Sequence, residues 1–413
     1  MTGIPESNIA EQEMSDRTTY DAVIVGGGPA GATAANDLAR AGFKVALLDR
    51  AGRIKPCGGA IPPILLREFD VPDSLVVARA RSARIVAPSK REVDMPIDGS
   101  GFVGMVDREI FDEWLRARAV ASGCDRRTGT FERIEREPDG TATVVYRPPG
   151  SDGPVPLIAL RARAVIGADG ANSAVARQAI RGGSRPKHVF AYHEIIRAPA
   201  PQKAGYDGSR CDIYYQGHLS PDFYAWIFPH GETASIGVGS AKKGFSLRGA
   251  VKELRASTGL SACETIRMEG APIPLRPLRK WDNGRDVVLA GDAAGVVAPA
   301  SGEGIYYAMS GGRFAADAVR ELLETGQASA LAKARKRFMR SHGFVFWTLG
   351  IMQYFWYSSD NRRERFVKMC ADPDVQKLTW EAYMNKALVR ARPAAHLRIF
   401  FNDLGHLFGV ART

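Results

Sequence analysis

Tyr20-Asp21-Ala22-Val23-Ile24-Val25-Gly26-Gly27-Gly28-Pro29-Ala30-Gly31 is the stretch that decides the fold. Ala22 to Val25 is a short apolar, β-branched run of strand type, three glycines follow, and an Ala-rich helical stretch runs to Ala41, with Gly42 as its C-cap. Phe43 to Leu48 makes a second buried strand that ends at Asp49, so this stretch forms one βαβ unit. Gly26-x-Gly28-x-x-Gly31 sits between strand and helix, where a dinucleotide fingerprint needs it. Gly26 permits the tight turn, Gly28 lets a pyrophosphate approach the helix N-terminus, and Gly31 lets helix and strand pack closely, while Asp49 can accept bonds from a ribose. The chain therefore begins as a doubly wound sheet.

Three later segments are expected to return to that sheet. Arg108 to Ala119 carries Ile110, Phe111, Trp114, Leu115 and Ala119 at helical spacing. Ala164 to Gly170 reads as a strand running into a tight turn, and Asp286 to Asp292 as a strand ending in Gly-Asp, followed by a helical stretch from Tyr306 to Leu323. Between these two strands lie strand-like runs at 189–196, 211–216, 223–228 and 234–239, spaced as an antiparallel sheet that could wall a substrate pocket. The expected architecture is α/β, with a discontinuous nucleotide-binding domain (20–180 and 270–327) and an inserted antiparallel-sheet substrate domain (181–269). A helical, basic, aromatic C-terminal region (328–413) follows, and a loose leader (1–19) precedes.

Composition excludes more than it selects. Of 413 residues, 45% are hydrophobic and 24% charged, ordinary values for a chain with a sizeable core. Lys plus Arg number 56 against 45 Asp plus Glu, a net +11, which suggests an anionic partner: nucleic acid, a membrane surface or a phosphorylated ligand. Five Cys without a CxxC pair argue for reduced thiols in a cytosol-facing protein. The seven His include no HExxH, and no metal site is expected. Met1 to Thr19 lacks the apolar core of a signal peptide, and no run reaches the roughly 18 apolar residues of a spanning helix, so any membrane contact is expected to be peripheral.

Gly291-Asp292-Ala293-Ala294-Gly295, with Gly302-Glu303-Gly304-Ile305 shortly after, resembles the FAD-dependent oxidoreductases of the para-hydroxybenzoate hydroxylase type. In that resemblance Asp292 bonds the flavin ribityl chain, and the following helix N-terminus faces the flavin pyrimidine. Asp169-Gly170-Ala171-Asn172-Ser173 with Arg177 resembles the middle DG motif, and Arg108 matches an arginine close to FAD. Pro56-Cys57-Gly58-Gly59 and Tyr224-Ala225-Trp226-Ile227-Phe228-Pro229 look like motifs of the geranylgeranyl reductase family, in its branch that reduces the geranylgeranyl tail of chlorophyll or bacteriochlorophyll to phytyl. The resemblance implies FAD held by Gly26, Gly28, Pro29, Ala30, Gly31, Asp49, Arg50, Gly58, Gly59, Arg108, Asp169, Asp292, Gly302, Gly304 and Ile305. It implies a substrate pocket lined by Tyr215, Trp226 and Phe228. Asp49 departs from the Glu that many FAD relatives carry.

No second glycine fingerprint is present, since Gly237-Val238-Gly239 lacks a third glycine, so NADPH is expected to dock transiently, reduce FAD and leave. Hydride delivery to an isolated alkene needs a proton for the other carbon. Cys57, Tyr224, Tyr215 and Glu303 are the candidate acids. A thiol and a phenol are protonated at neutral pH whereas a carboxyl is not, which favours Cys57 or Tyr224. Read from the residues alone, Cys57 is equally a small buried hydrophobe, and Tyr224, Trp226 and Phe228 are core residues at strand period. The aromatics between Phe344 and Tyr357 read as a buried core, a helix over the pocket or a membrane-lying segment. Arg335, Lys336, Arg340, Arg362, Arg363 and Arg365 flank them, and ten Lys or Arg stand against five Asp or Glu from Asn361 to Thr413, which suits an anionic lipid surface. The expected partners are NAD(P)H, a prenylated tetrapyrrole or geranylgeranyl diphosphate, and the periphery of a membrane. Rival readings are an archaeal-type prenyl lipid reductase, a flavin hydroxylase or halogenase, although no WxWxIP motif is found, and a nucleic-acid-binding protein.

Overall fold

The computed structural model describes residues 19–50, 52, 54–150, 156–183, 187–199 and 205–386. The expected leader, apart from Thr19, and the last 27 residues of the basic C-terminal region lie outside these.

The β-branched run of the fingerprint forms β1 (Thr19–Val25), which pairs in parallel with β2 (Val45–Asp49) on one side and β11 (Ile158–Gly167) on the other. β8 (Asp125–Thr128) extends the parallel set beyond β2. The far edge of β11 is shared: β10 (Ala142–Arg147) and then β9 (Thr130–Arg136) join antiparallel to its first half, and β17 (Val287–Leu289) joins parallel to its last three residues. Both returning strands predicted from sequence therefore lie in this sheet. α1 (Pro29–Arg40), with Pro at its first turn, packs closely on α6 (Ile305–Thr325) and on α3 (Arg108–Ala121). The Ala and Gly content of α1 and α6 makes this possible, since a Cβ at Gly312 would sit 2.2 Å from the Ala30 carbonyl oxygen.

The second sheet runs in the order β16 (Thr265–Pro274), β12 (His188–Arg197), β15 (Thr233–Ser240), β14 (Ala225–His230), β13 (Arg210–Tyr214), β5 (Ser82–Val86), β6 (Glu92–Pro96). Its last two strands correct the expected domain boundary. They come from inside the 20–180 span, and β5 enters the second sheet by parallel pairing with β13. Their Ile85, Val93 and Met95 share one core with Cys211, Phe223 and Trp226, so burial fixed a pairing that sequence order does not encode. A small sheet of β3 (Ala60–Ile61), β7 (Val103–Val106) and β4 (Val76–Ala80) lies near α2 (Pro63–Glu68) in the chain, α4 (Ala174–Ala179) follows β11, and α5 (Leu247–Ser257) covers the outer face of the second sheet.

The C-terminal region is helical, as expected: α7 (Ala332–Trp356), α8 (Asp360–Met369) and α9 (Pro373–Asn385). Trp356, Tyr357, Val367 and Cys370 pack into the core of the second sheet. α7 has two faces, with Phe346 and Trp356 buried while Phe344, Trp347, Ile351 and Tyr354 are exposed. Arg363, expected among the flanking surface charges, is instead buried, bonded to Asp360 and to the backbone carbonyls of Pro221 and Tyr357. Among the described residues no helix is long and apolar enough to cross a membrane.

Candidate active site

The C-terminal ends of β1 and β2 open onto a cavity of about 220 Å³ bordered by Val25 to Ala30, Asp49, Arg50, Asp169 and Asp292. Two glycines of the fingerprint answer to contacts within the fold. Gly26 has φ +106°, and a Cβ there would meet the Ala168 carbonyl oxygen at 2.3 Å. A Cβ at Gly31 would lie 1.8 Å from the Gly26 oxygen, so helix and turn touch backbone to backbone. A Cβ at Gly28 would meet nothing within 4 Å, because this residue, the N-cap of α1, borders the cavity. The helix N-terminus and its amides thus face a concave space suited to a pyrophosphate. The Asp49 carboxylate accepts a bond from Arg116 at 3.1 Å.

A second cavity of about 100 Å³ shares Pro29, Lys55, Pro56, Asp292 and Ala308 with the first. It adds the candidate acid Cys57, and Gly58, Arg108, Gly302, Gly304 and Ile305, which the family resemblance implies lie at a flavin. From the second sheet it takes Ala191, His193, Trp226 and residues 271–273. The Asp292 carboxylate is ion-paired with Lys55. Arg108 is buried and forked onto Asp112 at 2.7 and 2.8 Å, and although burial pulls its guanidinium down, the charge and bonds of Asp112 leave it above its ordinary value. Gly59 stands just outside the cavity, where its φ of +70° turns the chain under His230 and its N–H donates to the Cys57 sulfur at 3.4 Å. Burial holds the His230 imidazole below its ordinary value.

Several predicted site residues have other occupations. The Asp169 carboxylate accepts from Ser173 Oγ at 2.5 Å and from the Ala174 and Val175 amides, so it borders the cavity while its charge caps α4. The Tyr224 hydroxyl donates to the Ser301 carbonyl oxygen at 2.5 Å, and burial pushes the phenol far up. Tyr224 stands behind Gly302, outside both cavities, as does Tyr215, whose hydroxyl lies 3.1 Å from that of Tyr357. Phe228 packs on Gly58 from outside, and Glu303 is buried in an ion pair with Lys386. Of the four candidate acids, Cys57 alone lines either of these two cavities. Sequence reasoning missed Arg116, Lys55, Asp112 and His193. Arg116 and Asp112 recur at four-residue steps from Arg108 on one helix face, a legible signal, and Lys55 adjoins the Pro-Cys motif. His193 had no such signal, because cross-strand register alone brings it to the site.

The sequence family described as FAD binding domain matches residues 90–338, and the pyridine nucleotide-disulphide oxidoreductase family matches residues 20–108. A geranylgeranyl diphosphate reductase of Rhodobacter capsulatus is 58% identical over 391 residues, covering 95% of this chain and 98% of that one. The chain belongs to the geranylgeranyl reductase family. A further geranylgeranyl diphosphate reductase, of Synechocystis sp., is 36% identical, covering 93% of this chain and 97% of its own length. A digeranylgeranylglycerophospholipid reductase of Methanopyrus kandleri is 30% identical over 75% of the chain and 83% of its own length. Among solved structures, a geranylgeranyl bacteriochlorophyll reductase-like protein of Thermoplasma acidophilum superposes with a TM-score of 0.78 at 23% identity, covering 91% of this chain and 99% of that one. The flavin-dependent brominase fold superposes at 0.71. This geranylgeranyl reductase is an FAD-dependent oxidoreductase. The tight Gly26–Gly31 turn, the open approach at Gly28 and the carboxylates at Asp49 and Asp292 fit that cofactor.

Proposed function

We propose that this reductase saturates double bonds of a geranylgeranyl chain, carried on a diphosphate or esterified to a chlorophyll-type tetrapyrrole, by successive hydride and proton additions that draw on NADPH. The observation that carries the reading is the smaller cavity. It brings a protonatable thiol, Cys57, and an aromatic wall, Trp226, to the residues that frame the flavin ring in the resembled family. The 58% identity to a named geranylgeranyl diphosphate reductase supports the substrate class.

Residues of the two cavities would hold FAD, which when bound would supply hydride to the alkene. The protein's residues do the rest. Asp49 and Arg50 would hold the adenosine end, Gly28 and the N-terminus of α1 the pyrophosphate, and Asp292 the ribityl chain, all of them residues that line the larger cavity. The N-terminus of α6, a 21-residue helix starting at Ile305, would favour negative charge on a flavin ring held at the smaller cavity. Cys57 gives its proton to the second alkene carbon: the S–H bond breaks as the C–H bond forms, and solvent later restores the thiol proton. Trp226 and the small residues Ala191 and Ala271 offer apolar surface to the hydrocarbon. The exposed aromatic stripe of α7, near Arg340 and Arg362, is the face we place against the membrane that holds a lipid-soluble substrate.

The test is to incubate the purified flavoprotein with NADPH and either geranylgeranyl diphosphate or a geranylgeranylated pigment, and to follow products by mass. Successive gains of two hydrogens are expected. Cys57→Ala is expected to keep its yellow flavin absorbance and lose at least about a hundredfold in rate, the usual weight of a positioned acid. Full activity of that variant would remove Cys57 as the acid, oxygen uptake without mass gain would favour a hydroxylase, and turnover of archaeal lipid alone would favour the phospholipid branch.

A further inference from the structure

The second sheet presents an uneven face to the smaller cavity. Ala191 on β12 lies opposite Ala271 on β16, and His193 lies opposite Glu269 two residues along. Gly237 on β15 lies opposite both His193 and Trp226. A Cβ at Gly237 would sit 2.2 Å from the indole ring and 2.7 Å from the His193 Cβ, so the indole occupies the space a side chain there would take.

A polar chain runs from that indole to the edge of the sheet. The Trp226 Nε1–H donates to Ser235 Oγ at 3.1 Å, Ser235 Oγ lies 3.0 Å from His193 Nδ1, and His193 Nε2 lies 3.2 Å from Glu269 Oε2, while Oε1 of that carboxylate pairs with Arg267. Ser235 and His193 are 0% and 2% exposed. Burial pushes the Glu269 carboxyl up, but the bonds from His193 and the Arg267 charge outweigh it and hold the group below its ordinary value. A carboxylate only accepts, so Nε2 carries a proton, and in the neutral imidazole Nδ1 accepts. The Ser235 hydroxyl then gives its one proton to Nδ1 and receives the indole N–H. With a neutral imidazole, each member of the chain has one role. An apolar set would fill the same volume without desolvating four polar groups, so what the chain adds is a fixed orientation of the indole. That orientation bears on the reaction centre, because a Cβ at Gly58 would lie 3.9 Å from Trp226 Nε1 and 3.2 Å from the Phe228 ring. The indole edge abuts the turn that carries Cys57.

We propose that His193 is a positioning residue that, through Ser235, fixes the Trp226 indole and so sets the course of the hydrocarbon substrate past the Cys57 turn. The inference rests on the reductase reading above. His193→Leu and Ser235→Ala are expected to retain bound FAD and to raise KM for geranylgeranyl diphosphate about tenfold with little change in kcat, the size of one lost neutral hydrogen bond. Incompletely reduced chains are expected to accumulate, while Glu269→Gln, which keeps an acceptor for Nε2–H, stays near wild type. Without substrate, the emission of Trp226, taken as the difference from Trp226→Phe in each background, is expected to shift in both variants. Unchanged KM, product pattern and Trp226 emission in both would overturn the proposal. Ser235→Ala removes only one oxygen and decides the matter if His193→Leu does not fold. If wild type reduces no prenyl chain, the reductase reading fails, and the emission measurement still decides whether His193 orients the indole.

Discussion

His342 on α7 sits in a cage of rings, with centroids of Phe338, Tyr307 and Tyr306 at 5.0, 5.2 and 5.9 Å, and its buried Nδ1 has no hydrogen-bond partner among the described residues. Burial, with the Lys386 charge adding to it, pushes the imidazole down to about 4. Its unfolded value is near 6.5, so between those limits the unfolded chain binds the proton and the folded chain does not. Stability from this residue is complete above about pH 6.5 and is lost as pH falls through about 4, by an amount on the order of 3 kcal/mol. His342→Phe keeps a ring in the cage and is expected to flatten the fall of Tm between pH 6.5 and 4. An unchanged slope would show that other groups control acid unfolding. The same scale explains which site residues sequence could name. Cys57 was legible through its motif, but that Tyr224 spends its hydroxyl on the Ser301 carbonyl, and Asp169 its charge on α4, depends on neighbours 77 residues away in one case and five in the other.

At the scale of elements, the fingerprint glycines separate into two kinds. Gly31→Ala would drive a methyl into the Gly26 carbonyl and force α1 off β1, with an expected cost of about 3 kcal/mol and loss of bound FAD. Gly28→Ala meets no protein atom within 4 Å and has an ordinary φ of −73°, so its melting temperature is expected to stay close to wild type while FAD binding weakens. Thermal melts beside flavin absorbance separate the two, and equal destabilisation by both would refute the assignment of Gly28 to the ligand. The βαβ unit and both returning strands were legible because local hydrophobic pattern and turn chemistry specify them. The transfer of β5 and β6 to the second sheet was not. Parallel pairing with β13 joins Ser82 to Arg210, and no local pattern carries the address of so distant an edge.

At the scale of the molecule, the C-terminal helices are packed inward by Trp356, Tyr357 and Val367 and leave Phe344, Trp347, Ile351 and Tyr354 facing out at spacings of three and four residues. A contiguous apolar stripe of this kind is uncommon on a free surface. If it meets lipid, wild type is expected to float with anionic vesicles at low salt. Replacing Phe344, Trp347 and Tyr354 by Ser is expected to reduce the bound fraction at least about tenfold, since burying each ring contributes on the order of 1.5 kcal/mol or more. Equal flotation of both proteins would place the contact elsewhere.

Legible in the linear chain were the doubly wound start, the glycine fingerprint at Gly26 to Gly31, the motifs around Asp292 and Gly302, and the family to which they point. These rest on short-range spacing, which a linear chain displays. Tertiary structure alone decided that Cys57 lines the smaller cavity and Tyr224 does not, that Arg116 holds Asp49, and that His193, Ser235 and Trp226 form one chain across Gly237. Those relations arise when strands and helices distant in sequence are packed to exclude water and satisfy buried polar groups, and only the folded chain holds them.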